Sequence, residues 1–236
     1  MGIKYKRKKI RNTKKKNGKS QNVKIYAVIG AIILVVLMIV LTICKIFSMG
    51  PFASKEYTER KGSAIDASRP EMDVQLLTVN EYSRPGTASE KINGIVIHYT
   101  ANPGATAQQN RNYFEGLKTS KQTKVSSHFI IGLEGEIIQC VPTWEMAYAS
   151  NKRNLDTVSI ECCHPDSEGK FTDATYQSMV QMTAWLCQKF DLNEKDVIRH
   201  YDVTGKNCPK YFVENEDAWK QFKKDVKNAL EKAKQR

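Results

Sequence analysis

Histidine is scarce in this chain, with four residues among 236, at positions 98, 128, 164 and 200. Any chemistry that needs imidazole must draw on those four. No internal repeat is present, which excludes solenoid and propeller architectures. No segment is of low complexity apart from one basic tail. That tail, Met1 to Lys24, has no acidic residue and eleven Lys/Arg. The formal net charge of +12 therefore belongs to the tail, because 26 basic residues face 25 acidic ones downstream. A nearly neutral remainder gives no reason to expect a nucleic-acid partner.

The next stretch lacks charge altogether. Ile25 to Cys44 is twenty residues of mainly Ile, Leu, Val, Ala and Met. At 1.5 Å per residue a helix of that length crosses a hydrocarbon core of about 30 Å. Eleven positive charges before it, against Lys45 just after, orient it with the N-terminus in the cytoplasm. The expectation is a single-pass anchor in the cell membrane, with the rest of the chain extracytoplasmic. Cleavage as a signal peptide is the weaker alternative, since Met49-Gly50-Pro51-Phe52-Ala53 matches an A-x-A site poorly. Lys6 stands where N-myristoylation wants Ser or Thr.

Residues 45–90 are polar, without sustained periodicity, and carry Pro51, Pro70 and Pro85. They are expected to form an extracytoplasmic linker, in which Val74-Gln75-Leu76-Leu77 is the piece suited to pack on a domain edge. From residue 91 to 236 strands and helices alternate. Ile92–Tyr99 is a near-continuous apolar run, as in a central buried strand. Thr106–Leu117 suits a short helix. Ser126–Leu133 and Ile137–Val141 flank Glu134-Gly135-Glu136, a hairpin signal. Val158–Cys162 makes another strand. Thr172–Phe190 places Tyr176, Met179, Val180, Thr183, Leu186 and Cys187 at helical spacing. Asn215 is expected to cap a last helix that carries Trp219, Phe222, Val226 and Leu230 on one face. The pattern is that of one α/β domain with a central mixed β-sheet flanked by helices.

Arg199-His200-Tyr201-Asp202-Val203-Thr204-Gly205-Lys206-Asn207-Cys208-Pro209 sets an imidazole and a thiol around a Gly-containing turn. Seven intervening residues are too many for adjacent helical turns and do not make a CxxC knuckle. His98 closes the apolar run, at the end of a buried strand where site residues of open sheets gather. Two His and one Cys would hold Zn2+ and leave a fourth position for water. His128 alternates with Ser126 and Ile130 on a strand and suits a structural role. His164 precedes Pro165 in a turn and is expected to be exposed. Of the six cysteines, Cys162 and Cys163 face opposite ways on one strand. Cys140 could pair with either of them or with neither.

His98, Ser127-His128-Phe129-Ile130-Ile131, Thr157-Val158-Ser159-Ile160-Glu161 and the His200 to Cys208 segment occur in an informative order. It resembles that of the type-2 zinc N-acetylmuramoyl-L-alanine amidases, relatives of the peptidoglycan recognition proteins. The resemblance covers residues 91 to about 232. It implies hydrolysis of the amide between N-acetylmuramic acid and L-Ala in peptidoglycan by a monomeric catalytic domain. It also implies His98, His200 and Cys208 as zinc ligands, Glu161 as general base and Lys206 as a cation near the metal. The ordinary alternatives are a strand-end ion pair for Glu161 and a solvated loop charge for Lys206. Two departures stand out: Ser127 occupies a position that carries Tyr in other branches, and Met146-Ala147-Tyr148-Ala149 replaces a W-H-A-like setting. Tyr148 is then a candidate for substrate contact, for proton donation or for packing, and Trp144 for lining the substrate groove or for packing. A non-catalytic muropeptide-binding module on the same scaffold is the competing class.

Overall fold

The computed structural model describes residues 65–235, together with Tyr26, Ile29, Ile32, Ile33 and Val35. The basic tail, the 25–44 span apart from those five residues, and the linker up to residue 64 lie outside the described residues. Among the described residues no helix is long and apolar enough to cross a membrane.

Six strands form one sheet: β1 (Asp73–Val74), β2 (Gly94–Tyr99), β3 (Phe129–Ile131), β4 (Ile137–Gln139), β5 (Thr157–Cys162) and β6 (Val197–Arg199). Their order is β1-β4-β3-β5-β2-β6, parallel throughout except for the antiparallel β3–β4 pair. Within residues 65–235 the α-helices are α1 (Ala107–Ser120), α2 (Asp173–Phe190), α3 (His200–Thr204), α4 (Lys210–Glu214) and α5 (Glu216–Lys234). β2 lies between two parallel neighbours, and Ile95, Val96 and Ile97 are all fully buried, as a strand covered on both faces requires.

Alternation along the strands divides the core in two. Ile95, Ile97, Val158, Ile160, Phe129 and Ile131 pack against Met179, Leu186, Phe222 and Val226 of α2 and α5. Ile130, Ile138 and Cys140 pack against Ala107, Phe114 and Leu117 of α1. α1 starts on a reciprocal capping box between Thr106 and Gln109, and α2 starts where Thr172 accepts from the Thr175 N–H. The β3–β4 turn needs Gly135, whose φ is +80° and where a Cβ would lie 2.8 Å from the Ala174 carbonyl oxygen and Ser178 Oγ. Ser178 Oγ donates to the Gly135 carbonyl at 2.7 Å and docks that turn on α2.

Part of the segment read as a linker packs on the domain edge, as expected for Val74-Gln75-Leu76-Leu77: β1 joins the edge of the sheet, and Ala67 and Leu77 are each 1% exposed. The Leu77 N–H donates to the Cys140 carbonyl at 2.8 Å, and Arg84 grips Glu145 through two nitrogens at 2.7 Å each. A two-residue strand leaves no readable period, so the sequence marked this piece for packing without marking a strand. Two expectations change. Asn215 does precede α5, but its side chain donates back to the Tyr211 carbonyl and makes no cap. His164 is buried rather than exposed: Nδ1 lies 2.6 Å from the Asp166 carbonyl oxygen and the ring packs 5.0 Å from that of Tyr99.

Candidate metal centre and active site

The core-facing residues of β2 and β5 fix where the site lies. Ile95, Ile97 and Ile160 point toward α2 and α5, so His98 and Glu161 point to the other face. The two are direct partners in the parallel β2–β5 register. β6 then delivers His200, the first residue of α3, and the chain returns through Gly205 with φ +76° to bring Cys208 back. The Tyr201 N–H donates to the Cys208 carbonyl at 2.9 Å, which closes this turn.

Donor atoms of His98, His200 and Cys208 all lie within 4.8 Å of one another, and all three residues are buried. His98 Nδ1 is 3.8 Å from Cys208 Sγ, and the two imidazole centroids are 4.7 Å apart. Burial, the neighbouring imidazole and the Lys206 charge push His98 far below its ordinary value. His200 is lowered by burial and by Lys206. Both rings are therefore neutral near pH 7 and keep a lone pair. Burial raises the Cys208 thiol to about 12, helped by the Glu161 charge and opposed by Lys206. A cation would reverse that bias, since a coordinated thiol gives up its proton.

Glu161 is beside this cluster, with Oε1 3.9 Å from His98 Nδ1. Because His98 is neutral, the contact is not an ion pair, and among the described residues no Lys or Arg pairs with Glu161. Its Oε2 is buried without a hydrogen-bond partner. Burial lifts its pKa to about 8 against the pull of Lys206. Lys206 is exposed, yet its charge acts on His98, Glu161, His200 and Cys208 alike. It is a solvent-facing cation close enough for its charge to reach the cluster.

The other candidates fall elsewhere. Trp144 is 68% exposed and lines a groove of about 410 Å³ with Arg69, Met72, Trp185 and Lys189, among others. None of the cluster residues lines that groove. Tyr148 is half-buried; its N–H donates to Ser126 Oγ and its carbonyl accepts from the Ser126 N–H. Ser127 is fully buried, with its hydroxyl 2.7 Å from the Phe129 carbonyl oxygen and 3.1 Å from that of Ser159. It is spent on the sheet and offers nothing to a substrate. His128 is structural: its Nδ1 accepts from the Ser159 N–H at 3.0 Å, and its Nε2 donates to the Glu145 carbonyl at 2.9 Å. Burial holds it neutral, with a pKa near 4. Cys140, Cys162, Cys163 and Cys187 are free, buried thiols.

Sequence reading missed Arg199. This 8% exposed guanidinium binds Asp202 and Glu216, donates to the Phe212 carbonyl and lies over the rings of Tyr201 and Trp219. It ties β6, α3, α4 and α5 together immediately before His200. The only signal available was an Arg three residues ahead of an Asp.

The fold and site together define an α/β domain with a buried three-donor cluster and an adjacent unpaired carboxyl. The chain belongs to the N-acetylmuramoyl-L-alanine amidase family, whose pattern matches residues 88–211. It is 33% identical over 168 residues to the amidase CwlL of Bacillus licheniformis, covering 66% of this chain and 46% of that protein. It is 33% identical over 172 residues to the amidase BlyA of Bacillus subtilis (strain 168), covering 64% of this chain and 45% of that one. The chain spans about half the length of the curated relatives it matches. The structure of PlyL superposes with a TM-score of 0.59 at 23% identity, over 68% of this chain and 99% of that one. The last likeness establishes the fold, a single mixed α/β domain.

Proposed function

We propose that this protein hydrolyses the amide between the lactyl group of N-acetylmuramic acid and the L-Ala of the stem peptide in peptidoglycan. We assign His98, His200 and Cys208 to a zinc ion. The observation that carries this reading is the convergence of these three donors within 4.8 Å beside the unpartnered Oε2 of Glu161. Two neutral imidazoles and a thiol suit zinc by softness and number, and they leave one position open. When bound, zinc supplies Lewis acidity and acidifies water at that position.

The chain's own groups do the rest. Glu161 accepts a proton from the attacking water and returns it to the departing amine nitrogen of L-Ala. The role needs the carboxylate, and a bound dication would draw the Glu161 pKa down from its metal-free value of about 8. Lys206 sets its positive charge against the negative charge that develops on the amide oxygen. Tyr148, two residues before buried Ser150, is the aromatic we assign to the substrate. Trp144 is left out because its groove contains no cluster residue.

We further propose that Ile25–Cys44 anchors the domain in the cell membrane, on the strength of its uncharged length and the eleven basic residues before it. Resistance of the full-length chain to carbonate extraction from membranes is expected, and release into the soluble fraction would contradict the anchor.

The deciding experiment measures zinc content together with release of new N-terminal L-Ala from cell walls, with and without chelator. Glu161→Gln should retain zinc and lose release, whereas unchanged turnover would remove its role as base. Cys208→Ser should lose zinc, and full zinc content would contradict the ligand assignment. Zinc-loaded wild-type protein that binds muropeptides without releasing L-Ala would make this a binding module instead.

A further inference from the structure

Two consecutive residues outside every motif considered above serve both imidazoles. Ser150 Oγ lies 3.3 Å from His98 Nε2, and Asn151 Oδ1 lies 3.0 Å from His200 Nε2. The loop that carries them is fastened from behind. Asn154 Oδ1 accepts the N–H groups of Ala149 at 3.1 Å and Ser150 at 2.6 Å, and the Ser150 carbonyl accepts from the Arg153 N–H at 2.9 Å. Ser150 is 1% exposed. Asn151 has φ +52°, in the left-handed region that a non-glycine residue enters at a cost of about 1 kcal/mol or more. Asn enters it more readily than most residues.

We propose that Ser150 and Asn151 are positioning residues, Asn151 fixing the tautomer of His200 and Ser150 orienting the ring of His98, which leaves each Nδ1 to bind the metal. The inference rests on the zinc reading and adds to it. An amide oxygen only accepts, so His200 Nε2 must carry the hydrogen and Nδ1 the lone pair. On His98, Nδ1 is the nitrogen that faces Cys208 Sγ at 3.8 Å, while Nε2 points at Ser150. The left-handed turn at Asn151 keeps two successive side chains aimed at two different rings. A histidine ligand whose second nitrogen is bonded in this way is oriented and made more basic, and losing such a partner weakens metal binding by roughly 10- to 100-fold.

The test uses the full chain and zinc, with affinity read by competition against a chromophoric chelator. Asn151→Gly removes the amide without any left-handed penalty, so it separates the side chain from the backbone. It and Ser150→Ala should each weaken zinc binding roughly 10- to 100-fold. Asn151→Asp keeps an acceptor and tolerates the same φ, so it should restore affinity to within a few-fold of the parent. Nitrogen-15 NMR of the zinc-loaded parent should show both histidines metallated at Nδ1 with hydrogen on Nε2. A merely structural role for the loop would not produce the Asp rescue. Parent-like affinity in both Asn151→Gly and Ser150→Ala, or metallation at Nε2, overturns the inference while leaving the zinc reading intact. A parent chain that binds no zinc defeats that reading, and this inference with it.

Discussion

Replacing Glu161 with Gln should change how stability depends on pH, and the structure sets the sign and scale. The Glu161 side chain is 14% exposed, Oε2 has no partner, and burial lifts the carboxyl from 4.5 to about 8. A carboxyl whose pKa rises on folding holds its proton more tightly in the folded state. Its contribution is therefore complete below pH 4.5 and disappears as pH climbs through about 8. At about 1.4 kcal/mol per pKa unit, the loss approaches about 5 kcal/mol as an upper bound. Relaxation and water drawn toward the charge reduce it, so roughly 2 to 5 kcal/mol is expected. Gln has nearly the same shape and no charge to desolvate. Urea unfolding of the metal-free protein in chelator, at pH 5 and again at pH 8.5, should show the wild type falling relative to Glu161→Gln by that amount. His98 and His200 titrate with the opposite sign, since their depressed values give stability above 6.5 that is lost as pH falls. They are present in both proteins and largely cancel in the difference. Stability curves that run parallel from pH 5 to 8.5 would refute desolvation as the cause of the shift.

Leu77→Ala should cost about 2 to 5 kcal/mol in chemical denaturation, because this 1% exposed side chain belongs to the α1-side core. A cost below about 0.5 kcal/mol would mean that residues 65–90 are only loosely attached. Gly135→Ala places a Cβ 2.8 Å from the Ala174 carbonyl oxygen at φ +80° and should destabilise by about 1 to 3 kcal/mol or more, read from the thermal midpoint. An unchanged midpoint would show that the β3–β4 turn can shift off α2. Arg199→Lys keeps the charge but loses the fork that reaches Asp202, Glu216 and the Phe212 carbonyl. A loss of about 3 kcal/mol is expected, with weaker zinc binding through His200, and wild-type values for both would remove Arg199 as the support of that histidine.

The sequence by itself determined a good deal. Apolar runs placed β2 and β5, helical spacing placed α2 and α5, and the Gly135 signal placed the hairpin, because each of those rules acts between residues close in the chain. His98, His200 and Cys208 were legible as a set because so few imidazoles exist and one of them stands near a thiol. Everything that depends on what meets what across the fold was decided only by tertiary structure. That β1 pairs with β4, that His164 is buried, that Trp144 faces another groove and that Ser127 is consumed by the sheet all follow from packing between distant segments. The same holds for the site itself. Strand parity aims His98 and Glu161 at one face, but the parallel β2–β5 register puts them side by side. Only the folded loop sets Ser150 and Asn151 against the two rings, 52 and 49 residues away along the chain. Sequence periodicity carries the direction of a side chain relative to its own element, and it contains no information about which side chain from elsewhere will arrive to meet it.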